Sequence, residues 1–220
     1  MAPHHSTQTL DTSTSLNLYK NIAASFLKAI KAKDLDTYEH CLRVHQYATA
    51  TGRKLELDQK TLFELEIAAV LHDIGKLGVP DRILNKPTRL CDEEFRLIKT
   101  HPQQSFDILK EIHGFYNIAL SIRHHHERYD GKGYPNALQG EHIPLLSRII
   151  AICDTFDCMT ARTIHQLPLS FDKAVKELKS LSGGQLDKNL LEDFFQVLTE
   201  QSYKNIHFQT EESLNHDSVA

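Results

Sequence analysis

Apolar residues recur along most of this chain at intervals of three and four, the spacing that lines one face of a helix, and no segment reads as a strand. Residues 16–33 place Leu18, Ile22, Phe26, Leu27 and Ile30 on such a face, behind serines and threonines able to cap. A second helix is predicted over 36–51, with Gly52 as its stop signal. The clearest helix spans 58–74: Asp58 is a good N-cap, and Leu62, Leu65, Ile67, Ala68, Ala69, Val70 and Leu71 form a broad buried surface. Gly75 then offers the left-handed turn that ends it. After a turn-rich connection, Cys91-Asp92-Glu93-Glu94 opens a helix carrying Phe95, Leu97 and Ile98. It breaks and restarts at His101-Pro102, because proline is not tolerated well inside a helix. An apolar stretch over 112–122 follows. Pro144 is placed at the first position of a helix through Ile149, Ile150, Ile152, Phe156 and Met159. Two more helices, over 170–181 and 187–204, flank Ser182-Gly183-Gly184. The fold class is all-α: one domain over 16–205, a disordered polar tail over 1–15 and a polar tail over 206–220.

Composition narrows the function. A formal charge of −4 excludes a broadly basic nucleic-acid binder, so duplex DNA is not the expected partner. No apolar run reaches the roughly 18 residues of a membrane span, and the polar N-terminus lacks a signal peptide's apolar core; the expected compartment is the cytoplasm. Four cysteines, Cys41, Cys91, Cys153 and Cys158, form no CxxC pair, which leaves a zinc ribbon or thioredoxin-type motif unsupported. Fourteen histidines are the unusual number, and several share strings with aspartate.

The densest string is His124-His125-His126-Glu127-Arg128-Tyr129-Asp130-Gly131-Lys132-Gly133-Tyr134-Pro135. Three successive histidines cannot share one helical face, so the run suits a helix end where neighbours converge on a metal; a solvated histidine cluster is the alternative. His72 and Asp73 end a strongly apolar helix, where an ionisable pair is expensive unless compensated. His101 stands at the predicted helix junction. Asp154 interrupts an apolar stretch, and a carboxylate there needs a partner. Asp36 lies four residues before His40, on the same helical face. Taken alone, His40 reads as an ordinary core or surface histidine.

Taken together, HDIGK, HP, HHERYDGKGYP and RIIAICDTFD resemble the HD-GYP family of cyclic di-GMP phosphodiesterases, in the family's order and over about residues 18–200. The resemblance implies an HD-domain helical bundle with a GYP loop, holding two or three divalent ions, iron or manganese. It implies His72, Asp73, His101, His125, His126 and Asp154 as ligands, with His40 at the family's early histidine and Asp36 where three-metal members carry a glutamate. Asp73, with two oxygens, is the natural bridge between ions. Lys76 is expected to contact the scissile phosphate, and Asp73 and Lys76 are the catalytic pair. Arg162 is assigned to substrate binding. Gly131, Gly133, Tyr134 and Pro135 form a loop for substrate closure or for contact with a diguanylate cyclase (GGDEF) domain. The oligomeric state is not specified. Such domains usually accompany a receiver or sensor domain, for which this chain has no length.

Ligand type agrees independently: histidine and carboxylate without thiolate suit iron or manganese, with zinc also admissible. The implied reaction is hydrolysis of cyclic di-GMP to pGpG, GMP or both. The alternatives are an HD phosphohydrolase acting on another nucleotide and a non-hydrolytic cyclic di-GMP receptor or cyclase-binding module. Ser105, Thr88, Leu186 and Lys188 depart from the family pattern, and Cys91 replaces a usual capping threonine, removing half of a capping box. Glu127 and Asp130 are expected to orient imidazoles or the loop. His124 falls outside the matched positions. Cys41 and Cys153 flank two presumed ligands, as buried thiols or, in a sharper reading, as oxidation-sensitive ones.

Overall fold

Helix α2 (Leu35–Lys54) lies at the centre of the molecule, packed on one side against α3 (Gln59–Leu71) and on another against α8 (Leu145–Thr160). The computed structural model describes residues 12–161 and 167–199, so the expectations for residues 1–11, for Arg162 and for the tail 206–220 lie outside it. Helix α1 (Thr12–Lys33) packs on α2 and α3. Next come a 3₁₀ turn (Ile74–Gly78) and the short helices α4 (Asp81–Leu84), α5 (Asp92–Ile98), α6 (His101–Leu109) and α7 (Tyr116–Arg123). Helices α9 (Phe171–Ser180) and α10 (Lys188–Thr199) cover α8. Among the described residues there is no strand, only an isolated bridge between Ser182 and Leu186. The all-α expectation holds.

The core forms where the apolar faces meet. Tyr47 of α2, Phe156 of α8 and Phe194 of α10 are fully buried and meet edge to face, with centroids 5.3 to 6.2 Å apart, the arrangement that ring quadrupoles favour. Helix α1 contributes Ala23 and Ile30, while Leu18, expected on its inner face, is exposed. That helix starts at Thr12, ahead of the predicted boundary, because extending a packed helix adds one hydrogen bond per residue ordered and needs no apolar signal of its own.

Two glycines act differently from expectation. Helix α2 runs past Gly52 to Lys54, and Glu56 makes the left-handed turn at φ 53°. Gly52 serves helix packing instead: a Cβ there would stand 2.8 Å from Leu65 Cδ2 and 2.9 Å from Leu62 Cδ1 of α3. Gly75 is not left-handed either. It lies inside the 3₁₀ turn, where a Cβ would overlap the His101 carbonyl oxygen and stand 2.7 Å from Ser105 N. The turn therefore sits directly on the start of α6. Helix α3 has already ended at Leu71, so His72 and Asp73 occupy the tightened connection rather than the helix.

Other boundaries follow local chemistry. Asp58 caps α3 by accepting from Lys60 N and Thr61 N at 3.0 and 3.1 Å. The chain breaks between α5 and α6 as the His101-Pro102 pair requires, with proline in the first turn of α6. Pro144 is the cap of α8, one residue ahead of its expected place. At α5, Glu94 accepts from Cys91 N at 2.9 Å and from Lys86 Nζ; the Lys86 bond, then the Cys91 amide, lower its carboxyl to about 2.

Gly75→Ala is expected to cost about 3 kcal/mol, the upper range for overpacking against backbone. Urea unfolding of the metal-free chain would measure it.

Candidate metal centre

The last carbonyls of an α-helix have no partner within the helix. In three helices of this molecule an imidazole takes one of them. His72 Nδ1 donates to Ala69 O at 2.8 Å near the end of α3, His101 Nδ1 to Ile98 O at 2.7 Å at the end of α5, and His125 Nδ1 to Ile122 O at 2.6 Å near the end of α7. A carbonyl only accepts, so each Nδ1 carries the proton and each Nε2 is left as a bare lone pair. Those atoms face one another. His101 Nε2 and His125 Nε2 are 3.3 Å apart, and His40 Nε2 and His72 Nε2 are 3.2 Å apart. Between His101 and His125 two lone pairs face each other without attraction, and a cation between them resolves the conflict; between His40 and His72 a proton carried by His40 fills that place in the metal-free chain.

Asp73 joins the two clusters. Its Oδ1 stands 3.1 Å from His101 Nε2, while its Oδ2 lies 3.5 Å from His72 Nε2, 3.7 Å from His40 Nε2 and 2.6 Å from Lys76 Nζ. One oxygen per cluster is the geometry a bridging carboxylate needs. Asp154, from α8, sets Oδ1 3.2 Å from His40 Nε2 and Oδ2 3.9 Å from His126 Nδ1. Among the described residues, three groups have donor atoms within 4.8 Å of one another: His101, His125 and His126; His40, His72 and Asp73; His40, Asp154 and Cys158. Asp36 is in none of them. It is exposed at the first turn of α2, where Asp34 takes the capping role by accepting from Thr37 N, so the shared helical face did not bring it to His40's partners.

Protonation suits cation binding. Burial would raise the Asp73 carboxyl, but the Lys76 ammonium beside it holds it well below the usual carboxylate range. Asp154 is likewise held low against burial, chiefly by His40. Burial drives the His125 ring well below its ordinary value and the His126 ring to about 3, so both are neutral. His40 is the exception. Burial lowers it, yet hydrogen bonds to Asp154 and Asp157 outweigh burial and raise it to about 10, so in the metal-free chain a proton stands where a cation would. Ionised carboxylates and neutral imidazoles are the forms that ligate divalent metals.

A family model described as HD domain matches residues 17–190. The chain belongs to the HD domain family. Its HDIGK and HHERYDGKGYP strings place it in the HD-GYP branch. It is 36% identical over 186 residues to a cyclic di-GMP phosphodiesterase of Pseudomonas aeruginosa, covering 80% of this chain and 45% of that protein. It is 37% identical over 154 residues to a 3'3'-cGAMP-specific phosphodiesterase of Vibrio cholerae, covering 70% of this chain and 34% of that one. The chain thus spans less than half the length of these relatives. Its fold is similar to the crystal structure of a cyclic GMP-AMP specific phosphodiesterase of V. cholerae, with a TM-score of 0.65 at 22% identity over 84% of this chain and 49% of that one.

Several residues that support this HD centre carry weak sequence signals. Asp157, fully buried, accepts from His40 Nδ1 at 2.7 Å and from Arg43 Nε at 2.7 Å and Nη2 at 3.0 Å. The signal for it was spacing: Arg43 follows His40 by three residues and Asp157 follows Asp154 by three, so each pair shares a helical face. Ser105, a departure from the family pattern, accepts from Gly75 N at 2.8 Å and donates to His72 O at 3.1 Å, tying the metal loop to α6. Glu127 serves the loop, with the His124 ring 3.6 Å from its carboxylate. It is buried and accepts from Asn136 N at 2.6 Å and Leu138 N at 3.1 Å, folding the GYP loop back on its own start. Asp130 serves the loop too, accepting from Arg128 and Lys132 N. His124 is buried beside Glu127, away from the ligand groups. Cys41 and Cys153 are fully buried, and burial pushes both thiols up, which disfavours the reactive thiolate.

Asp157→Ala leaves Arg43 with only Glu39, 3.9 Å away, and is expected to cost about 3 kcal/mol in urea unfolding. Glu127→Ala strands two backbone amides, at about 1.5–3 kcal/mol for each bond to a charged group. Its metal content, measured by elemental analysis, should match wild type.

Proposed function

We propose that this chain is a metal-dependent phosphodiesterase that hydrolyses cyclic di-GMP to pGpG, GMP or both. The observation that carries the reading is the pair of imidazole clusters, with bare Nε2 atoms at His72, His101 and His125, joined through the two oxygens of Asp73. The names of its curated relatives support a cyclic dinucleotide as substrate. Two divalent ions, iron or manganese, fit the donors of His40, His72, Asp73, His101, His125, His126 and Asp154 without Asp36. Such ions supply Lewis acidity at a phosphoryl oxygen and an activated water at neutral pH.

Lys76 is paired with Asp73 at 2.6 Å, yet a quarter of its side chain remains open to solvent. Its ammonium can hold a phosphate oxygen beside the ligands, where its benefit rises as charge develops on phosphorus. The Tyr134 ring lies against His126, with centroids 5.0 Å apart and planes inclined by 32°, and Lys99 sits over its ring at 5.1 Å. This puts an aromatic wall with a cation beside the centre, suited to a purine and its phosphate. Gly133 is required there, since a Cβ would overlap Arg128 N and stand 2.5 Å from Glu127 Cα; Gly131 takes φ 78°. Pro135, Asn136 and Ala137 form the exposed outer edge of the loop, the surface we assign to a GGDEF domain. We assign Arg162, which follows α8 in sequence, to the substrate phosphate.

No described helix is long and apolar enough to cross a membrane. All four cysteines are free, as a reducing compartment requires, and the cytoplasm is the location we propose.

A second reading, hydrolysis of 3'3'-cGAMP, is favoured by the 37% identity to the V. cholerae enzyme of that name. Metal analysis of protein purified without oxygen, with product chromatography from both cyclic dinucleotides in parallel, separates the readings. His72→Ala and Asp73→Ala should lose metal and turnover together. Lys76→Ala should keep its metal and lose roughly 10²- to 10³-fold in kcat. Metal-loaded wild type that binds cyclic di-GMP without forming product would establish a receptor instead.

A further inference from the structure

We propose that Cys158 is a metal ligand of this centre. Its Sγ joins His40 Nε2 and a carboxylate oxygen of Asp154 around one cation, making that end a nitrogen, oxygen and sulfur site that takes iron or zinc in preference to manganese. The proposal rests on the metal-dependent reading above and names the ligand that sets metal choice within it.

Cys158 lies one residue beyond the RIIAICDTFD string and one helical turn after Asp154, so the two side chains share a face of α8. Its Sγ is 3.3 Å from Asp154 Oδ1, and the same oxygen is 3.2 Å from His40 Nε2. The three donor atoms lie within 4.8 Å of one another. A second, independent feature points to a cation there: His40 has its Nδ1 committed to Asp157, so its Nε2 is aimed at Asp154, Asp73 and the bare Nε2 of His72. The other cysteines differ. Cys41 and Cys153 are fully buried and belong to no donor group among the described residues, and Cys91 is exposed at the start of α5. Cys158 is exposed as a residue, while desolvation of its sulfur and the neighbouring Asp154 carboxylate push its thiol up, so ligation has to displace the proton.

On ligation the thiol proton passes to water and a sulfur lone pair enters the coordination shell; no oxidation state changes. Thiolate is a soft donor and favours iron and zinc over manganese, whereas the cluster of His101, His125 and His126 has no sulfur donor. The two ends of the centre therefore differ in metal preference.

Cobalt(II) loaded anaerobically into the metal-free full chain tests this, because a sulfur-to-cobalt charge-transfer band in the near ultraviolet requires a thiolate ligand. Wild type and Cys91→Ser should show the band. Cys158→Ser and Cys158→Ala should bind cobalt without it, and their preference for zinc over manganese should fall by about tenfold or more as the soft ligand is lost. Alkylating the metal-free Cys91→Ser chain, whose remaining exposed cysteine is Cys158, should abolish the band with no substitution at position 158. Cobalt bound by wild type without the band, or a band that survives in both Cys158 variants, overturns the thiolate ligand and leaves the metal centre standing. Failure of wild type to bind cobalt overturns both.

Discussion

Three backbone carbonyls, those of Ala69, Ile98 and Ile122, set the chemistry of this molecule. Each belongs to the last turn of a helix, where it would otherwise lack a partner, and each is taken by the histidine three residues on. One contact thus meets two needs. It closes a helix end without water, and it locks an imidazole into the tautomer that leaves Nε2 free and fixed in direction. Three helices ending around one point then place three such nitrogens together, and the aspartate of the 3₁₀ turn reaches between them. The candidate donor imidazoles accumulate at helix ends here because that is where a histidine can satisfy the backbone and still face inward.

The rest of the fold makes this costly arrangement tolerable. Ionised carboxylates at Asp73, Asp154 and Asp157 are buried, which is expensive unless opposite charge is at hand. Lys76 serves the first, His40 the second, and His40 with Arg43 the third. His40 links the last two, since one ring nitrogen is held by Asp157 while the other faces Asp154. The pairing of α2 with α8 is therefore electrostatic on the side of the centre and apolar on the other, where Tyr47, Phe156 and Phe194 interlock.

The GYP segment is a different construction. Glu127, Arg128 and Asp130 fold it by local hydrogen bonds, and residues 184 and 185 brace it through Tyr129 N and Asp130 N. It touches the centre through Tyr134 against His126. A surface built this way can change its outer residues without moving the donor groups.

The sequence alone determined the all-α class, the break at His101-Pro102 and the cap at Asp58, because helical periodicity, proline sterics and capping chemistry are each legible along the chain, and the expense of burying charge singled out His72-Asp73 and Asp154 as groups in need of partners. It misjudged Gly52 and Gly75 as helix stops, since a glycine needed for left-handed backbone and one needed for close approach look identical in a string of letters. Spacing set Arg43 beside His40 and Asp157 beside Asp154, but nothing in it paired Asp157 with Arg43, 114 residues apart, or Ser105 with Gly75, because these partnerships exist only once separate helices are side by side. Asp36 shows the converse: periodicity set it on the face of His40, and only packing decided that this turn of α2 lies in solvent. Tertiary structure decided which polar groups share one dry volume, and a single helix's spacing carries no information about what the neighbouring helix brings.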